Sequence, residues 1–94
     1  MPKYRVAHIR EQGNDIIIVP VDAAFEKSSP ATQQGMADAL QRAAVAAGLA
    51  GTVVPVWQHV DGRMAFMAPR NWVPYFQCIG MDFVWANVNR ELTL

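Results

Sequence analysis

The chain has 94 residues, of which 52% are hydrophobic and only 17% are charged, and its eight basic and eight acidic residues cancel. This length predicts a single domain spanning residues 1–94, without room for a cofactor-sized cavity beside a full core. The scattered basic residues form no cluster, which argues against an electrostatic grip on nucleic acid. The sequence has no apolar stretch of about 18 residues, so we expect no contact with a membrane interior.

The low charge content carries the first positive expectation. Soluble domains typically have about 25% charged residues, and small domains have the most solvent-exposed surface per residue. The sequence therefore predicts that part of the surface is covered by a second copy or by another protein.

The single cysteine, Cys78, excludes a disulfide within the chain. The residues after Met1 alternate between polar and apolar, unlike the apolar core of a secretion signal. Both features favour a cytoplasmic protein.

The first half of the chain predicts two strands and a helix. Strands at residues 3–10 and 15–21 flank turn-forming residues at 11–14. The apolar run at residues 16–19 is typical of a central strand that is covered on both faces.

The helix is predicted over residues 30–47. Ser29 is its N-cap, Pro30 takes the first helical position, and Gly48 ends it.

The second half predicts a hairpin at residues 52–60 and 63–68, which turns at Asp61 and Gly62. Pro55 predicts an edge or a bulge on one side of the first of these strands. A short helix follows at residues 72–79 and a strand at residues 82–89, and the remaining residues, 90–94, are expected to fray.

These elements predict an α+β fold, a single compact domain in the order ββαββαβ. We expect about five mostly antiparallel strands with two helices packed on one face of the sheet.

No residue pattern predicts chemistry, and we expect no catalytic, cofactor-binding or metal site. His8 and His59 have no ligand partners at metal-binding spacing, and Cys78 falls late in a helix, away from the helix N-terminus that favours a nucleophilic cysteine. The glycines form no phosphate-binding loop.

The aromatic residues give the candidate site. If both helices cover one face of the sheet, Trp57 and Trp85 can lie on the other, with Tyr4 and Met67 beside them. We predict that these four residues bind protein, although the two tryptophans can equally belong to the core. Arg5, Arg63 and Asn87 would then form a polar rim.

Three functions follow, in order of preference. The first is a non-catalytic protein-interaction module that also binds itself, as a homodimer or larger homo-oligomer. The second is a weak single-stranded nucleic-acid binder, in which bases stack on the same aromatic face. Its phosphate contacts would come from Lys3, Arg5, Arg63 and Arg90.

The third function is a small enzyme whose site is shared between subunits. In that case His59, Asp61 and Arg63 would have to meet groups from another chain.

Overall fold

A computed structural model describes residues 3–11, 13–59 and 61–93. Its strands are β1 (Lys3–Glu11), β2 (Asn14–Pro20), β3 (Thr52–Gln58), β4 (Met64–Phe66) and β5 (Arg90–Thr93). Its α-helices are α1 (Pro30–Ala46), α2 (Val73–Gln77) and α3 (Met81–Ala86). Two short 3-10 helices, Ala23–Lys27 and Arg70–Trp72, precede α1 and α2.

The five strands form one mixed sheet in the order β4-β3-β2-β1-β5. Among these described strands, β1 pairs antiparallel with β2 and β5, β3 pairs antiparallel with β4, and β2 pairs parallel with β3. The parallel pair needs a crossover, which α1 supplies. The predicted α+β class, the mostly antiparallel sheet and the central position of the second strand are therefore confirmed.

Helix α1 begins at the predicted Pro30 and ends at Ala46, one residue before the predicted end. The Ser29 hydroxyl accepts a hydrogen bond from the Thr32 backbone N–H at 3.2 Å, which satisfies one of the free donors of the first turn. At the other end Gly48 adopts φ +79°, and the Leu49 N–H donates to the Ala44 carbonyl at 2.9 Å. This is the Schellman ending that the glycine predicts.

The helices lie on both faces of the sheet, where the sequence predicted both on one face. One face packs against α1, and its buried cluster is Val6, Ile17, Val19, Leu40, Ala44, Val53 and Leu92. The opposite face packs against α2 and α3, and its buried cluster is Ala7, Ile16, Ile18, Val54, Val56, Trp72, Phe76 and Val84. The two-sided apolar run of β2 is thus covered by the chain's own helices and needs no partner.

This difference has its origin in the segment after α2. The predicted strand at residues 82–89 is wrong, because residues 81–86 form α3 and bury Val84 against the sheet. β-Branched and aromatic residues favour strands, but burial against a sheet overrides that weak preference. Asn87 ends the helix by donating from its side-chain amide to the Phe83 carbonyl at 2.8 Å.

The C-terminal segment, predicted to fray, is ordered as β5 through residue 93. The Asn89 side chain joins it to β1: its oxygen accepts from the His8 N–H and its amide donates to the His8 carbonyl, each at 2.9 Å. Leu92 is buried beneath α1. Hydrogen bonds to β1 and this buried side chain together fix the strand.

The strand that contains Pro55 is internal, so the predicted edge or bulge is wrong. Pro55 is buried, and its carbonyl accepts from the Met67 N–H at 3.0 Å, one residue beyond the end of β4. The missing proline donor therefore falls where the β3–β4 ladder stops, and it costs the sheet no central hydrogen bond.

The two predicted turns fall at the expected places. Gly13 and Gly62 both have positive φ, at +78° and +87°. Residue 12 of the first turn and residue 60, the predicted end of the third strand, lie outside the described residues. None of the helices in the described ranges has the length and apolar character needed to cross a membrane.

Candidate functional site

Three of the four predicted contact residues, Tyr4, Trp57 and Met67, lie on the α1 side of the molecule. Trp57 is only 7% exposed, and its ring packs edge-on against Phe25 at a centroid distance of 4.9 Å. Tyr4 is half-buried, with its hydroxyl 4.0 Å from the Met36 sulfur. Trp57 therefore belongs to the packed interior, as the core alternative for the tryptophans allowed.

Met67 lies on that side next to Pro55, and Trp85 alone of the four lies on the opposite side. Met67 is half-buried and lines a shallow cleft against α1 with Gln34 and Gln41. Trp85 is 51% exposed on α3, which covers the opposite face of the sheet. The structure thus does not bring Tyr4, Trp57, Met67 and Trp85 together on one surface.

The predicted rim residues are also separated. Arg5 is exposed on β1, and Asn87 is engaged in ending α3. Arg63 lines the same groove as Trp85.

We call that concave surface the β4 groove. It is open to solvent, has a volume of about 810 Å³, and lies between β4 and the α2–α3 segment. Six apolar side chains line it, namely Met64, Phe66, Phe76, Ile79, Met81 and Trp85. Only Phe76 of these is fully buried; the others are half-buried or exposed, so a bound partner would remove apolar surface from water.

Local sequence explains how these side chains converge. Met64 and Phe66 alternate with Ala65 on β4 and therefore point to the α2–α3 face. Phe66 contacts Phe76 of α2 at a ring-centroid distance of 5.4 Å. Ile79 and Met81 flank Gly80 at the junction of α2 and α3, and both pack at the rim of the core cluster on this face.

The backbone of β4 forms one edge of the sheet. The His59 N–H donates to the Arg63 carbonyl at 2.7 Å and the Met67 N–H donates to the Pro55 carbonyl at 3.0 Å. Antiparallel ladders alternate, so residues 63, 65 and 67 bond to β3, while the backbone groups of Met64 and Phe66 point away from it. Within the described residues no partner is recorded for these outward groups.

The groove has little charge. Its polar lining includes Arg63 and Asp82, one charge of each sign, together with Gln58 and Gln77. The neighbouring Asp61 carboxylate lies 3.7 Å from the Arg63 guanidinium, which is largely exposed. No strong field of either sign is present to select a highly charged ligand.

The turn next to the groove is held by a histidine between two carboxylates. The His59 Nε2 lies 3.0 Å from a Glu26 oxygen, and the His59 Nδ1 lies 3.2 Å from an Asp61 oxygen. Asp61 also accepts from the Arg63 backbone N–H at 2.9 Å. This last hydrogen bond, followed by the charge of His59, lowers the pKa of Asp61 despite partial desolvation.

The structure brings His59, Asp61 and Arg63 together at the β3–β4 turn, and the enzyme hypothesis further requires groups from another chain. His59 does not line the β4 groove, the Met67 cleft or the cleft beside Tyr75. In the described ranges no three His, Cys, Asp or Glu side chains are arranged to hold a metal ion. The carboxylates tie the 3-10 helix at Ala23–Lys27 to the β3–β4 turn, which is a structural use of the histidine.

The basic residues named for nucleic-acid binding do not form one surface. Lys3, Arg5 and Arg90 lie on β1 and β5 at one side of the sheet, and Lys3 pairs with Glu91 at 3.8 Å. Arg63 precedes β4 at the opposite edge. A single strand of nucleic acid would meet no continuous basic track.

A third concave surface, beside Tyr75, contains a polar atom that has no partner among the described residues. Asn14, Trp72, Tyr75 and Cys78 are among its lining residues. The Tyr75 hydroxyl is buried without a hydrogen bond to any described residue, and burial, followed by the charge of Glu11, raises the pKa of Tyr75. The Trp57 indole N–H is likewise buried and unpaired.

No protein-family model matches the chain, and no curated protein or solved structure is significantly similar to it. We therefore infer the function from the geometry of the β4 groove.

Sequence reasoning identified Trp85 but missed the residues that surround it. Met64, Phe66, Ile79 and Met81 are ordinary apolar residues in the pattern. The sequence predicted a strand over residues 63–68, whereas β4 contains only Met64–Phe66. No local signal therefore indicated that these side chains are only partly covered.

Proposed function

We propose that this protein is a small non-catalytic interaction module that binds another protein chain through the β4 groove. The observation that carries the proposal is the half-exposed indole of Trp85 beside the partly covered side chains of Met64, Phe66 and Met81. Tryptophan is the residue type most often found to dominate binding energy at interfaces. Methionine side chains are flexible and adapt to an apolar partner surface.

The composition supports the same conclusion. The chain is poor in charge, and its own helices already cover both faces of the sheet. Among the described residues the exposed large apolar side chains are Val45 on α1 and Phe83 and Trp85 on α3, and of these Trp85 lines the groove. We further propose a cytoplasmic location, since the one thiol, Cys78, is exposed and free, as in proteins of reducing compartments.

Site-specific photo-crosslinking in the native host tests the proposal. A photoreactive phenylalanine derivative replaces Trp85 in one strain and Val45 in another. Val45 is a matched control because it is 66% exposed and apolar but lies on α1, across the sheet. We expect covalent protein adducts, seen as larger species on denaturing gels, from position 85 and far fewer from position 45.

Equal adduct yields from the two positions would contradict a specific binding surface at the groove. The absence of any protein adduct from position 85 would contradict the proposed function itself.

A further inference from the structure

The edge of β4 has the geometry needed to pair with itself. Antiparallel strands related by a twofold axis through Ala65 place Met64 opposite Phe66 of the partner subunit and Ala65 opposite its own copy. The outward backbone groups belong to residues 64 and 66, so these residues form the hydrogen-bonded pairs. Each such pair exchanges two bonds, which gives four hydrogen bonds across the axis.

The side chains suit the same arrangement. Met64 and Phe66 share the groove face of the sheet, so pairing sets Met64 directly across from Phe66 of the partner subunit. The two β4 grooves then become neighbours on one face of a continuous ten-stranded sheet, with an exposed Trp85 in each. Apolar surface in each groove is covered by the equivalent surface of the other.

Charge favours a second copy over a charged partner. The chain has zero net charge, so two copies do not repel each other as whole molecules. The groove contains Arg63 and Asp82, one charge of each sign, and a surface with both signs can match itself.

We propose that the occupant of the β4 groove is a second copy of this chain, joined by antiparallel β4–β4 pairing centred on Ala65. This inference rests on the proposed function, because it names the partner for the same surface. It also fixes a register, which a general apolar contact does not.

Cysteine substitutions test the register. The reactive background is Cys78→Ser, which leaves no other thiol in the chain. Ala65 faces its copy in a non-hydrogen-bonded pair, where the Cα atoms lie about 4.5 Å apart, within the range of a disulfide. In the same register two copies of residue 64 are about 8 Å apart, too far for that bond.

We expect Ala65→Cys to form a disulfide-linked dimer about tenfold faster under mild oxidation than Met64→Cys. Thr93→Cys on the opposite edge strand is the matched control and is expected to link as slowly as Met64→Cys. Equal rates at positions 64, 65 and 93 would show random collision and overturn the proposed pairing.

A charge placed on the edge gives a second, independent measurement. We expect the unmodified chain to sediment at twice its 10.4 kDa mass at high concentration. Met64→Lys places two like charges near the axis and is expected to weaken the dimer by about 100-fold. Circular dichroism confirms that the variant is folded, and Val45→Lys is the control that leaves the dimer intact.

The outcomes separate this inference from the proposed function. A chain that remains monomeric at about 1 mM, but whose position 85 crosslinks to a different protein, overturns self-pairing and leaves the interaction module standing. A monomeric chain without adducts from position 85 overturns both. A dimer that Met64→Lys does not weaken overturns the β4 pairing alone.

Discussion

The two edges of the sheet differ in how they meet solvent. The β5 edge has the sequence Arg90-Glu91-Leu92-Thr93, and Glu91 pairs with Lys3 of the adjacent strand. The β4 edge has the sequence Met64-Ala65-Phe66, without a charged residue, and it opens onto an apolar groove.

This contrast shows which edge is protected against pairing. Charged side chains on an edge strand discourage the approach of another strand, whereas an apolar edge invites it. The β4 edge is only three residues long, which limits pairing to a short and specific match. A closed dimer needs one edge that can pair and one that is protected by charge. Two edges that can pair would allow the chain to polymerise.

The largest expected effect separates structural anchoring from surface pairing. Leu92 is 1% exposed beneath α1, so Leu92→Ala leaves a cavity and should lower the free energy of unfolding by about 3 kcal/mol. Met64→Ala at the opposite edge should cost less than half as much, because Met64 is only half-buried. Urea denaturation of the two variants, at a concentration where the chain is monomeric, measures both values.

If Leu92→Ala cost less than Met64→Ala, β5 would be the loosely attached segment that the sequence pattern predicted. That result would contradict the difference between the anchored β5 edge and the exposed β4 edge.

This comparison also shows what sequence could and could not predict. Local signals were sufficient for β1, β2, α1 and the β3–β4 hairpin, because Ser29, Gly48 and the Asp61–Gly62 turn act through their own backbone neighbourhood. The segment at residues 81–93 was assigned wrongly, since Val84 and Leu92 gain their structure from distant partners on opposite faces of the sheet. Burial against a preformed sheet decides such short elements, and residue preference does not.

The candidate site was predictable only in part, for the same reason. Trp85 was selected as a large aromatic residue, and it is exposed. Trp57 was selected on the same grounds and is buried against Phe25, because the 3-10 helix at Ala23–Lys27 that covers it had no sequence signature. To predict that Trp57 and Trp85 lie on opposite sides of the sheet, one must first know which face each strand and helix covers.

Removing the charge that protects the β5 edge should change stability little but should change assembly visibly. Glu91→Val removes the exposed ion pair with Lys3, which should change the unfolding free energy by less than about 1 kcal/mol. It also gives β5 an apolar, strand-forming residue, so that both edge strands can pair with another copy. Light scattering at high concentration should detect species larger than a dimer.

Asp38→Leu is the control for this experiment. It removes the same charge and adds apolar surface on α1, beside the Met67 cleft and not on an edge strand, and should produce no larger species. Assembly by the control equal to that of Glu91→Val would show that lost charge, and not edge pairing, causes the association.

The smallest expected effect concerns the turn that leads into β4. The pKa of Asp61 in the folded chain lies below its ordinary value of 3.8, because the Arg63 N–H and the charge of His59 favour the carboxylate. Ionised Asp61 therefore contributes stability above about pH 3.8, and this contribution is lost as the pH falls through the folded-state pKa. Asp61→Asn cannot ionise, so the stability difference between wild type and variant should be present at about pH 7 and shrink below about pH 3.8.

Urea unfolding of both proteins as a function of pH measures this difference. His59 and Arg63 are the charged groups that face Asp61, and Glu26 reaches the other ring nitrogen of His59. A difference that stays constant into strong acid would contradict the role of the carboxylate charge in holding the turn.

Backbone amide exchange as a function of protein concentration tests the β4–β4 pairing. We expect the amides of Met64 and Phe66, which point away from β3, to exchange rapidly when the protein is dilute and to become protected as its concentration rises. The outward amides of β5 should exchange at the same rate throughout. Unchanged exchange at residues 64 and 66 over the full concentration range, or protection that rises at β5 instead, would contradict it.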